Sequence, residues 1–110
     1  MSGSGPQAIT PAELFRRRAT GEAFEVLDVR ERAELALAAF PGAHWIPLGE
    51  LRQRSSELDP ACRWVCLCHH GVRSAQAAAF LAAQGFEHVW NLRGGIDRWS
   101  LEVEPGIPRY

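Results

Sequence analysis

Trp64-Val65-Cys66-Leu67 is apolar at four successive positions and runs directly into Cys68-His69-His70-Gly71-Val72-Arg73-Ser74, after which an alanine-rich stretch continues to Gln84. A strand with no polar face suits the centre of a parallel sheet covered by helices on both sides. Ala77, Phe80, Leu81 and Gln84 fall at helical spacing, and Gly85-Phe86 closes them as a glycine C-cap with an apolar follower, so residues 74–84 read as a helix. Buried strand, short glycine loop and helix together restrict the chain to an α/β architecture. In such sheets ligands bind beyond the carboxyl ends of the strands.

The rest of the chain agrees. Thr10 caps a helix with Pro11 in its first turn, Glu13 at the third position and Ile9 and Leu14 as an apolar staple. That helix runs through Arg16, Arg17 and Arg18, read as a solvated face, and stops near Gly21. Residues 24–29 favour a strand and 31–39 a helix, ended by Pro41-Gly42. A short strand at 44–46, a brief helix at 48–54 and a polar connection at 55–60 follow. Beyond the central segment come a strand at 88–92, a turn at Gly94-Gly95, a short helix at 96–101 and a proline-containing tail at 102–110. Alternating strands and helices imply a mainly parallel sheet. The 110 residues suit one domain with one core, with no repeat or linker and with residues 1–6, rich in Ser and Gly, expected to be flexible.

All 12 basic residues other than histidine are arginine, which excludes lysine Schiff bases, lysine general bases and the lysine-dependent phosphate loop. They are spread evenly among 13 acidic residues, for a net charge of -1, so no stripe marks a nucleic acid or membrane partner. The first residues form no leader and no apolar run approaches a membrane span, making a cytoplasmic protein the expectation. Cys62, Cys66 and Cys68 make an odd number in one stretch, which fits a reducing compartment with free thiols better than a disulfide framework.

Cys68 stands where chemistry is expected. If the residues after it curl, their N–H groups converge on its sulfur and add to the positive end of the following helix, favouring the thiolate. The candidate binding residues are His69, His70, Gly71, Val72, Arg73 and Ser74. Arg73 is read as an anion-binding fork, with bracing of the loop by a carboxylate as the alternative. Either histidine could orient an anionic donor or assist a proton transfer. Asp28 and Arg30, at a neighbouring strand end, are possible supporting residues and read first as a structural ion pair or turn. Cys66 reads as core, although a strand's period of two puts it on one face with Cys68 and leaves a resolving role open. Trp45, Trp64, Trp90 and Trp99 read as packing.

Several ordered motifs then resemble the rhodanese family of sulfurtransferases. They are Leu27-Asp28-Val29-Arg30-Glu31 with Glu34; Pro41-Gly42-Ala43 followed by Ile46-Pro47-Leu48; Cys68 to Ser74; Gly85-Phe86; Val89 and Asn91-Leu92; and Gly94-Gly95-Ile96 with Trp99. The chain departs from the family's habits at Ala39-Phe40 and at Trp45. The resemblance implies a five-stranded parallel sheet flanked by helices on both faces, with Cys68 accepting sulfane sulfur. A ping-pong reaction follows: a donor such as thiosulfate loads Cys68, and cyanide, a thiol or a protein acceptor unloads it, with no metal or organic cofactor.

Three other readings stand beside it. A cysteine phosphatase or arsenate reductase also holds a thiolate in an anion loop, but its loop has one residue more than the four between Cys68 and Arg73. A metal module would use Cys62, Cys66, Cys68, His69 and His70, though a strand holding two of them suits closed sites poorly. A carrier module would run the same persulfide chemistry toward a protein partner.

Overall fold

The computed structural model describes residues 5–110. Of the 1–6 stretch expected to be flexible, 1–4 lie outside the described residues, and Gly5 and Pro6 carry no regular element.

Five strands form one parallel sheet: β1 (Gln7–Ile9), β2 (Glu25–Asp28), β3 (His44–Trp45), β4 (Trp64–Leu67) and β5 (Val89–Leu92), in the spatial order β1-β5-β4-β2-β3. β4 is central and buried at all four positions, as its unbroken apolar run requires. β1 escapes a reading from residue pattern because it is a three-residue edge strand with only Ile9 buried. Its hydrogen bonds to β5, not its side chains, make it a strand.

The helices are α1 (Pro11–Ala19), α2 (Arg32–Leu37), α3 (Leu51–Arg54), α4 (Val72–Ala83) and α5 (Gly95–Glu102). Thr10 caps α1 by accepting the Glu13 amide at 3.1 Å. In the arginine run Arg16 and Arg18 are exposed, but Arg17 lies over the Phe24 and Trp90 rings and pairs with Glu22. α2 is shorter than expected because Ala38 turns extended and, with Phe40, enters the core. The brief helix expected at 48–54 is a 3-10 turn (Leu48–Glu50), α3 and a second 3-10 turn (Ser55–Glu57), which takes up half of the expected connection.

Two apolar layers follow from the pleat of β4. Val65 and Leu67 face α1 and α5, meeting Leu14, Ile96 and Trp99. Trp64, Cys66 and Cys68 face α3 and α4, meeting Leu51, Ala77, Ala78 and Leu81. The two fully buried alanines let α4 lie close on the sheet. The pairings Asp28–Leu67 and Cys66–Asn91 align the carboxyl ends of β2, β4 and β5, so Arg30, Cys68 and Arg93 leave the sheet along one edge. No helix among the described residues is long and apolar enough to cross a membrane.

Candidate active site

Cys68 is the first residue beyond β4 and is 1% exposed, held on the α4 side of the sheet. Its carbonyl and that of His69 accept the amides of Ile96 at 2.9 Å and Asp97 at 3.2 Å, from the first turn of α5. That approach requires Gly95, at φ +62°, where a Cβ would run into both carbonyls. Tying the carbonyls to α5 turns the amide side of the loop toward the sulfur. Gly71, at φ +105°, starts α4 and donates its N–H to Cys68 Sγ at 3.0 Å. The Val72, Arg73 and Ser74 amides lie in the first turn of α4, where a helix offers them no internal acceptor. The site is therefore a sulfur at the positive end of a twelve-residue helix.

Side chains complete the ring around it. Ser74 Oγ lies 3.2 Å from Sγ and 2.5 Å from Asn91 Oδ1, while Asn91 Nδ2 donates to the Gly71 carbonyl at 3.1 Å. Asn91 reaches them because it shares the α4 face of β5 with Val89, beside Cys66 on β4. Cys66 itself is sealed, and burial pushes its thiol up to about 12, with the neighbouring Cys68 adding to the rise.

Among the described residues, Arg73 makes no hydrogen bond to the sulfur. It makes a two-bond ion pair with Glu34, Nη1–Oε1 2.6 Å and Nη2–Oε2 2.8 Å, fixing the start of α4 to α2. The same carboxylate caps its own helix through the Glu31 amide and accepts the Tyr110 hydroxyl at 2.8 Å. Arg73 above all, against the opposing effect of burial, holds the Glu34 carboxyl down at about 2. Tyr110 also accepts from Arg30 Nη1 at 3.0 Å. Arg30 is fully buried and bonded to Asp28 through Nε and Nη2, and its carbonyl accepts the Trp45 indole N–H at 2.8 Å. Asp28 and Arg30 thus form a buried ion pair beneath the rim.

The tail expected at 102–110 is part of the site. Ile107 enters the core, Arg109 pairs with Asp97, and the Tyr110 ring stacks on His69 at 3.8 Å and 7°. His69 is further flanked by His70, and its enclosed Nε2 has no hydrogen-bond partner among the described residues. His70 is exposed, with Nδ1 4.0 Å from Asp97. Val72, 70% exposed, points outward. Of the residues expected in the site, Gly71 and Ser74 meet the sulfur, Arg73 ties α4 to Glu34 of α2, His69 lies under the Tyr110 ring, and His70 and Val72 stand at the surface. The contributions of Asn91, Gly95 and Tyr110 went unread. A polar residue two positions after Val89, on a core-facing strand period, was the signal for Asn91. Nothing local marks Tyr110, whose partners are 76 and 80 residues away.

The rhodanese-like domain family model matches residues 10–102. A protein named sulfurtransferase from Allochromatium vinosum is 38% identical over 100 residues, covering 91% of each chain. The rhodanese-like/PpiC domain-containing protein 12 of Arabidopsis thaliana is 40% identical over 90 residues, 78% of this chain and 30% of its own length. The adenylyltransferase and sulfurtransferase UBA4 of Meyerozyma guilliermondii is 30% identical over 93 residues, 77% of this chain and 22% of its own. The chain therefore spans less than a third of either of the last two. The crystal structure of a rhodanese-related protein from Thermoplasma volcanium superposes with a TM-score of 0.80 at 35% identity, over 90% of this chain and 95% of the other. With the five-stranded parallel sheet, the cysteine loop at its carboxyl edge and these relatives in agreement, the chain belongs to the rhodanese-like domain family.

Proposed function

We propose that this chain acts as a single domain that transfers sulfane sulfur through a persulfide on Cys68. The observation that carries the reading is the sulfur itself, which takes the Gly71 N–H at 3.0 Å and sits at the mouth of α4, where three first-turn amides have no helical acceptor. A terminal sulfur bonded to Cys68 is anionic and small, and those amides suit it. The Cys68 thiolate attacks the outer sulfur of thiosulfate, the S–S bond of the donor breaks, and sulfite leaves with its electron pair. A second nucleophile, cyanide or a thiol, then takes the terminal sulfur and returns the electron pair of the S–S bond to Cys68. His69 and His70 flank the approach, and the donors that Arg73 does not spend on Glu34 attract the anionic end of the donor. The chemistry uses only residues of this chain, in a cytoplasmic setting.

A protein acceptor is the second reading. UBA4 carries a domain like this one within a chain several times longer, named for two activities. The exposed Val72 beside the loop supplies an apolar contact for such a partner.

Intact mass of the reduced protein after thiosulfate decides the matter. A gain of one sulfur atom, lost on adding cyanide and absent in Cys68→Ser, is the expected result. A Cys68→Ser variant that still turns over sinks the mechanism. Arg73→Ala raises the Michaelis constant for thiosulfate about tenfold if the arginine meets the donor. An unchanged constant assigns it to bracing alone.

A further inference from the structure

The arginines at the carboxyl edge of the sheet are nearly all neutralised. Arg30 pairs with Asp28, Arg73 with Glu34, Arg98 with Glu102 and Arg109 with Asp97. Arg32 lies over the Trp45 ring of β3, next to the exposed Glu31. Arg93 is different: it is exposed and makes no ion pair, side-chain hydrogen bond or ring contact among the described residues. Its place follows from the pleat of β5. Val89 and Asn91 face α4, Trp90 and Leu92 face the opposite layer, and the Arg93 amide continues the ladder by donating to the Ile9 carbonyl at 2.9 Å. The period of two returns Arg93 to the α4 side. The peptides that flank it lie against Gly71, where a Cβ would sit 3.4 Å from the Leu92 carbonyl oxygen and 3.3 Å from the Gly94 nitrogen. Gly71 is the residue whose N–H meets Cys68 Sγ. Glu34 comes from the helix after β2, whereas Arg93 comes from the end of β5, the neighbour of β4 on its other side.

We propose that Arg93 binds the anionic leaving end of the sulfur donor, the oxyanion that stays outside the loop when the outer sulfur meets Cys68. Two bonded opposite charges draw an anion weakly, because their fields largely cancel a short distance away. Arg73 and Glu34 are such a pair, so Arg73 supplies a contact while the two together supply no net charge. Arg93 supplies one positive charge at the end of β5, and the N-terminus of α4 adds to it. In the transfer step the bond between Sγ and the outer sulfur forms, the S–S bond of thiosulfate breaks, and sulfite leaves with the electron pair. No bond to Arg93 forms or breaks. Its charge faces the sulfonate end before the step and the departing sulfite after it, so it acts on donor binding more than on chemistry. The donor class that follows is one whose leaving group is an oxyanion, in preference to a neutral polysulfide.

The role of Arg93 in turnover rests on the sulfur-transfer reading, but its test needs no sulfur donor. Cys68 is alkylated at low ionic strength by iodoacetate, an anion, and by iodoacetamide, its neutral analogue, and each rate is followed on the Cys68 peptide. Both reagents consume the same sulfur, so the ratio of their rates cancels its ionisation and its access and keeps the reagent's charge. Arg93→Ala should lower the iodoacetate-to-iodoacetamide ratio about threefold, the scale of one exposed ion pair, and Arg93→Lys should retain most of it. Arg18→Ala, an equal loss of charge in the last turn of α1, should leave the ratio unchanged. Salt at about 1 M should bring the wild-type ratio down to that of Arg93→Ala. With thiosulfate as donor, Arg93→Ala should raise the Michaelis constant about threefold at unchanged kcat. A residue that only braces the loop would slow both reagents alike and lower kcat. An unchanged ratio in Arg93→Ala, an equal fall in Arg18→Ala, or a fall in Arg73→Ala without one in Arg93→Ala overturns the proposal. Failure to load sulfur from thiosulfate, with these ratios as expected, would instead count against the transfer reading.

Discussion

Arg73 and Glu34 meet through two parallel bonds, of 2.6 and 2.8 Å, across 39 residues of sequence. The pair joins the loop helix to α2, and with Tyr110 and Arg30 it extends to the buried Asp28. One bonded frame of charges therefore stands beside the Cys68 loop.

The frame gives stability a definite acid limit. The Glu34 carboxyl lies at about 2 in the folded protein against an ordinary 4.5, chiefly through Arg73. A depressed carboxyl stabilises the fold fully above its unfolded value and loses that contribution as pH falls through the folded one. The window is from about 4.5 down to about 2, and the contribution is of order ~3 kcal/mol, since Glu34 is only 17% exposed. Glu34→Gln is expected to unfold at lower urea at pH 7 and to lose stability less steeply between pH 4.5 and 2.5. Parallel acid slopes for the two proteins would show that the pair contributes nothing.

Gly95 predicts a sharper failure. An alanine there faces both a left-handed φ of +62° and the carbonyls of Cys68 and His69. Either α5 shifts and releases those carbonyls, or the loop moves. Gly95→Ala should lose about 2 kcal/mol or more in urea unfolding and at least tenfold in sulfur loading per folded molecule. Gly85→Ala is its control: Gly85 has similar backbone strain at φ +98° but open space around a Cβ. It should lose stability without the loss of loading. Equal loss of loading in both would remove the argument that α5 shapes the loop.

What could be read from the sequence was what repeats or runs along the chain. The apolar run of β4, the helical period of α4, the Thr10 cap and the glycine breaks each report on their own neighbourhood; α4 starts two residues before the expected 74, at Val72, because Gly71 at φ +105° caps it. Cys68 was legible for the same reason, lying between a buried strand and a helix start. Contacts that close over long separations were not legible. Which carboxylate meets Arg73 depends on Glu34, on another helix, and the position of the tail on the Tyr110 stack over His69. β1 carries no pattern at all, being an edge strand defined by its partner.

Tyr110 separates two tasks that can be tested apart. Its hydroxyl links Glu34 and Arg30, while its ring covers His69. Tyr110→Phe keeps the ring and should cost about 1 kcal/mol of stability with sulfur loading nearly intact. Tyr110→Ala opens one face of His69 and should expose it to diethyl pyrocarbonate, with a larger fall in transfer. Equal protection of His69 in both variants would mean that the stack does not cover the ring.

Cys66 and Cys68 share a face of the sheet, yet they should not form a disulfide. Two residues along an extended strand separate Cα atoms by about 6.6 Å, at the upper end of what a disulfide spans without strain. Burial also keeps the Cys66 thiol protonated, with a value of about 12, so at neutral pH it supplies almost no thiolate to resolve an oxidised Cys68. Peroxide should therefore carry Cys68 to sulfenic acid and then to sulfinic acid, while Cys66 remains reduced. Peptide mapping after peroxide treatment should find the added oxygen on the Cys68 peptide and no mass loss of two hydrogens across that stretch. A Cys66–Cys68 bond in that map would mean that β4 opens at its carboxyl end, and it would make Cys66 a resolving cysteine rather than part of the core.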